Sequence, residues 1–193
     1  MSFKNTPMKK LFIFFITTLI LQCFIPVWGQ SYECQCSLLS DKNTVCKTSL
    51  RGNSYKFSFA VDSSYYTKTL TLNHSEIYNF RNENKSALLS LIGKIIETLP
   101  IQLLDSLANA KINAVMAHVL ISTQTGKAVA VTFYITKDFS SSFTEGDLNN
   151  MRNAVVNQEF KIHQPLQEGY FNYILPLYRK QISDYLLGYK QNH

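Results

Sequence analysis

The spacing of hydrophobic residues changes period several times along the chain, and each change marks an expected element. Residues 1–10 carry Lys4, Lys9 and Lys10 and no acid, and Leu11 to Trp28 is apolar almost throughout. Residues 30–54 are polar and irregular, which reads as a lead-in loop. Tyr55, Phe57, Phe59 and Val61 then alternate with smaller or polar residues, predicting a half-buried strand over 55–61. A second short strand is expected at 69–73, followed by a polar connection over 74–84. Asn84 and Ser86 are candidate N-caps. Beyond them Leu88, Leu89, Ile92, Ile95, Ile96 and Leu99 recur at helical spacing, an apolar stripe wide enough to face a core. Pro100 ends that helix and suits the first turn of a shorter one bearing Leu103, Leu104 and Leu107.

The second half is patterned more regularly. Met116, His118 and Leu120 alternate with Val115, Ala117, Val119 and Ile121. After Thr123-Gln-Thr-Gly126-Lys, Val129, Val131, Phe133 and Ile135 alternate with Ala130, Thr132, Tyr134 and Thr136. This is a β-hairpin within 112–136, with Gly126 supplying the positive φ of a tight connection. Phe139 to Phe143 is a serine-rich loop. Thr144 and Asp147 resemble a capping box, opening a helix whose buried side is Leu148, Met151, Val155 and Val156 and which runs to about Asn157. Past Phe160 and the loop around Pro165 and Gly169, Phe171, Tyr173, Leu175 and Leu177 share one face of a final strand. Pro176 lacks a backbone donor, so that strand belongs at a sheet edge or pairs on one side only. Ser183–His193 is a short polar tail whose Tyr185-Leu186-Leu187 patch packs back. The expected class is α+β: a small antiparallel sheet of three to five strands with two helices on one face.

The N-terminus changes the setting. A basic start, an apolar run, and Val27 and Gly29 at −3 and −1 read as a secretory signal cut between Gly29 and Gln30. Pro26 breaks a helix just before the cut. Two alternatives stay open: an uncleaved anchor helix, since the run is near the lower limit for a bilayer span, and lipidation of Cys23, although Gln22 is larger than the residue usual before such a cysteine. The expected organisation is therefore a signal (1–29), a Cys-bearing segment with one or two strands (30–84), an α+β core (85–182) and a tail (183–193). The protein is expected to be exported, to the periplasm or beyond, and to meet a membrane only through that signal or a lipid on Cys23.

Charge matters less than it first suggests. The chain has 193 residues with 19 Lys+Arg and 13 Asp+Glu, a net charge of +6. Three of the lysines lie in the signal, leaving 16 basic against 13 acidic residues, or +3, in scattered positions. Nucleic acid is not an expected partner. Cys34, Cys36 and Cys46 follow the signal, and in an oxidising compartment Cys46 pairs with Cys36 or with Cys34. A metal site on Cys34-x-Cys36, Cys46 and a histidine lacks the usual C-x-x-C spacing.

No catalytic motif is present: no G-x-S-x-G, H-E-x-x-H, Walker loop or dinucleotide fingerprint, and only seven glycines. Of the four histidines, His118 lies in a strand and reads as structural, with a Cys46/His118 nucleophile pair the one combination left open. Glu145 and Asp147 fit the favourable field of a helix N-terminus. Eleven tyrosines and thirteen phenylalanines suit packing first and ligand contact second. No cofactor and no metal are expected.

The stretches Val119–Phe133, Phe143–Met151, Val156–Phe160 and Tyr170–Pro176, in the order helix, hairpin, helix, strand over 87–179, resemble the C-terminal domain of TonB-type energy transducers. They are most similar to the small exported TonB-like domains of the Bacteroidetes type, with an α-β-β-α-β core. The resemblance covers about half the chain and rests on a hydrophobic pattern. It implies a non-enzymatic binding module that adds an extended peptide or envelope protein to a sheet edge. The edge it points to is the strand near 170–178, with Tyr170, Asn172, Ile174 and Tyr178 as candidate contacts. With five prolines and no proline-rich spacer, the chain departs from a force-transmitting transducer. An exported enzyme built on unremarkable polar residues and a structural lipoprotein are the alternatives.

Overall fold

The protein was analysed as a computed structural model, which describes residues 34–36, 45–49, 52–162 and 167–192. The expected cleavage site at Gly29/Gln30, and Cys23, His163, Pro165 and His193, lie outside them. Strands β1 (Cys34–Cys36), β2 (Val45–Ser49) and β3 (Ser54–Phe59) lead in, followed by a 3-10 segment, Ala60–Lys68, and the two-residue β4 (Thr69–Leu70). Helices α1 (His74–Glu83), α2 (Lys85–Glu97) and α3 (Ile101–Ala108) follow. The hairpin is β5 (Val115–Ser122) and β6 (Ala128–Thr136), then come α4 (Lys137–Ser140), α5 (Glu145–Val155), β7 (Tyr170–Leu177) and α6 (Arg179–Asn192).

All seven strands form one sheet in the order β1-β2-β3-β6-β5-β7-β4, antiparallel except for β4 against β7. The fold is thus α+β as expected, but the sheet is larger than three to five strands and is mixed. Phe57, Phe133, Ala117 and Leu175 lie in one row across β3, β6, β5 and β7. With their neighbours they form the inward face, buried against Leu91 and Ile95 of α2, Leu104 of α3, Met151 of α5 and Ile182 of α6. Helices α1 (through Phe80), α2, α3, α5 and α6 all contribute to covering that face, α6 because the C-terminal tail is not a polar end. It continues as α6, whose Ile182 and Leu186 are buried, and its residues pack against α3.

The hairpin forms as its pattern predicts. Gly126 has φ +68°, and a Cβ there would clash with the carbonyl oxygen of Phe160, so two constraints fix glycine at one position. The Thr144/Asp147 capping box is present, with Thr144 Oγ1 accepting from Asp147 N–H at 3.1 Å, and Asn157 at φ 72° closes the helix exit.

The N-terminal half departs most from expectation. The strand at 55–61 stops at Phe59, and Val61, placed by its spacing on the buried face, is exposed. The 3-10 segment that replaces it is a strap. It carries the chain from β3 to β4, which lie four strand positions apart. Nine residues at about 2 Å rise span roughly 18 Å, and four strand spacings come to about 19 Å. Residues 74–84, expected as a polar connection, form α1, held by an Asn73/Glu76 capping box with Glu76 N–H donating to Asn73 Oδ1 at 3.0 Å. Asn84 ends α1, where its Nδ2 donates to the Phe80 carbonyl at 3.0 Å, and opens α2 without capping it. It is buried, donating to the Lys161 carbonyl (2.9 Å) and accepting from Lys161 N–H (2.7 Å).

Candidate functional site

The hydrogen-bond register decides which side of β7 is free. Thr123 N–H donates to the Gly169 carbonyl at 3.0 Å on the β5 side. Backbone groups of alternate residues point the same way along a strand. Phe171, Tyr173, Leu175 and Leu177 therefore direct theirs toward β5, whereas Tyr170, Asn172, Ile174 and Pro176 direct theirs away. Pro176 agrees with this parity, since a missing N–H is tolerated on the side that has no partner. On that outer side β4 pairs only with Tyr170 and Phe171. That parallel pairing takes the Asn172 N–H to the Leu70 carbonyl, and from the Asn172 carbonyl onward no described strand pairs with it.

Of the residues predicted for this edge, Tyr170 is thus closed off. Thr69 lies opposite it, and its ring meets Tyr65 of the strap edge-on at 5.5 Å. Asn172 and Ile174 are at the open part. Ile174 is 52% exposed, and Asn172 donates through Nδ2 to His118 Nδ1 at 3.1 Å. Tyr178, just past the strand, is half exposed, and its N–H donates to Gln181 Oε1 at 3.1 Å.

A groove of about 490 Å³ runs beside this edge. One wall is Tyr173 to Pro176 with Tyr178. The opposite wall is a stripe on α1 and α2: Tyr78, Arg81, Lys85, Leu88, Leu89 and Ile92. Phe80 locates this wall. It is buried on the face of α1 turned to the sheet, with its ring 5.0 Å from Phe171 and 5.1 Å from Tyr173. Leu89, counted in the core stripe from its spacing, is 52% exposed at the groove, and Leu91 is fully buried. Burial raises the Tyr173 phenol above its ordinary value, with the nearby Arg81 acting in the opposite direction.

Sequence reading missed the helical wall because it took 74–84 as a connection. Asn73-x-x-Glu76 followed by Ile77 and Phe80 was the available signal for a capped amphipathic helix.

The remaining candidates separate. β1 and β2 pair so that Cys36 stands opposite Cys46 and Cys34 opposite Thr48. Directly opposed antiparallel residues lie about 4.5–5.5 Å apart at Cα, within disulfide range, so register favours Cys36 over Cys34. Cys46 and His118 do not meet: β3 and β6 stand between their strands, about 14 Å of sheet. His118 lies against Tyr134 with the rings 4.3 Å apart and tilted by 40°, and burial, with Lys56 adding to it, lowers its pKa. Among the described residues no three His, Cys, Asp or Glu side chains are grouped to hold a metal, and no single helix is long and apolar enough to cross a membrane.

No protein-family model matches this chain, and no curated protein matches it. Among solved structures it is similar to a DUF5043 family protein from Bacteroides uniformis ATCC 8492, determined by crystallography at 1.85 Å. The two are 16% identical with a TM-score of 0.53, over 69% of this chain and 84% of the other. Identity that low shows a shared α+β architecture and nothing about activity.

Proposed function

We propose that this protein is an exported, non-enzymatic binding module of the cell envelope that holds an extended peptide or envelope-protein segment by adding it to the outer edge of β7. The carrying observation is that the Asn172 carbonyl and both backbone groups of Ile174 point away from β5 past the end of β4, beside the groove, rather than onto another strand. Unpaired strand edges are normally blunted or covered, and edge addition draws its affinity from the main chain. The TonB-like resemblance implies the same mode, and the basic, apolar N-terminus supplies the expectation of export.

Amide hydrogen exchange tests this directly. In the free protein the Ile174 amide exchanges fast and those of Tyr173 and Leu175 slowly; a bound extended peptide protects Ile174. Binding that leaves Ile174 unprotected rejects edge addition.

A further inference from the structure

We infer that the groove beside β7 selects an acidic segment, one in which carboxylates alternate with apolar residues. The inference rests on the edge-addition reading and adds the chemistry of its ligand. Arg81 and Lys85 are exposed on the wall that faces the open edge, one turn apart. Neither carries an ion-pair partner among the described residues, and no Asp or Glu lines the groove. On either side of them Tyr78 and Leu89, 64% and 52% exposed, give that wall apolar surface.

A strand added to β7 presents every second side chain to this wall. Six residues of β7, Asn172 to Leu177, lie past the part β4 covers, about 20 Å of strand, so about three ligand side chains face the helices. Carboxylates among them complement Arg81 and Lys85, and lysines there meet like charge, which costs affinity. Arg81 is suited to bidentate contact with a carboxylate. Both cations are solvent-exposed, so the selectivity is expected to weaken with salt.

Three fluorescein-labelled ten-residue peptides alternating valine with glutamate, glutamine or lysine provide the test, read by fluorescence anisotropy at low ionic strength. The expected order is glutamate, then glutamine, then lysine, with about tenfold between the extremes, as two exposed ion pairs supply. The double variant Arg81→Glu/Lys85→Glu, both on exposed helix positions, is expected to invert that order; an unchanged order overturns the inference. If all three peptides bind alike and Ile174→Pro abolishes each, charge selection fails and edge addition stands. If none binds, or if Ile174→Pro binds all three as the parent does, both fail.

Discussion

Two places in the sheet face the same difficulty and resolve it differently. At β6 the neighbour β3 ends at Phe59, and its pairing reaches only as far as Phe57 with Phe133. At β7 the neighbour β4 ends at Leu70 and leaves the edge uncovered from the Asn172 carbonyl onward. The first gap is plugged. Asp62 of the strap is fully buried, accepts the Val131 N–H at 3.4 Å and is held by Arg152 of α5, whose Nε lies 3.1 Å from Oδ2. The guanidinium rests over the Phe59 ring at 5.6 Å, and Tyr66 Oη meets Thr132 Oγ1 at 2.7 Å. The second gap has no such side chain and is flanked instead by the groove. An edge inside the fold is closed with a buried charge pair, which is costly unless fully partnered. The edge left open is the one where an incoming chain would complete the sheet.

The largest effect expected from this contrast is at the plug. Asp62→Ala leaves Arg152 and the Val131 amide without their acceptor, and breaking a buried pair costs about 3–5 kcal/mol. Urea unfolding should show the midpoint falling with little change in slope; a loss below about 1 kcal/mol would mean that the gap at β6 closes without Asp62.

The lead-in strands come next. An oxidised Cys36–Cys46 bridge closes a loop of about eleven residues and is expected to contribute roughly 2–3 kcal/mol. Non-reducing peptide mapping of protein from its native host should find that link. Finding Cys34 joined to Cys46 instead would contradict the β1–β2 register.

Proline substitutions sharpen the open edge. Leu175→Pro removes a donor directed at β5 and should cost about 1–3 kcal/mol. Ile174→Pro removes one directed outward and should spare the fold while ending peptide addition. Equal destabilisation by the two would show that the assigned parity is wrong.

The smallest effect is at His118. Its pKa in the folded protein lies below the unfolded value near 6.5 because burial disfavours the imidazolium, and Lys56 adds to this. The folded state is therefore at full strength above about pH 6.5, and loses stability as pH falls from there through the lowered folded pKa. His118→Leu should flatten that part of the profile; an unaltered slope in the variant would assign it to other groups.

The hairpin, its glycine turn, the α5 capping box and the faces of β7 follow from the sequence alone, because each is set by residues within one short window. Period-two alternation, a positive-φ glycine and a Thr-x-x-Asp cap act locally. Pro176 likewise announced a strand with one unpaired side. Chain ends and connections were less legible. Val61 continues the alternation of β3 numerically, yet Asp62 and the width of the sheet pull it into the strap. Leu89 belongs to the apolar stripe by spacing and to the groove by position. The stretches read as a polar connection and a polar tail form α1 and α6 because Phe80, Ile182 and Leu186 find partners far away in the chain.

What the sequence determined by itself was local periodicity: the type and apolar face of the strongly patterned elements, β5, β6, α2, α5 and β7. Tertiary structure alone decided that seven strands join one sheet, that Tyr170 is covered while Asn172 and Ile174 are open, and that Arg81 and Lys85 stand across from them. The physical reason is that coverage of an edge depends on pairing between Thr69 and Tyr170, about a hundred residues apart, and no periodicity within either segment encodes it.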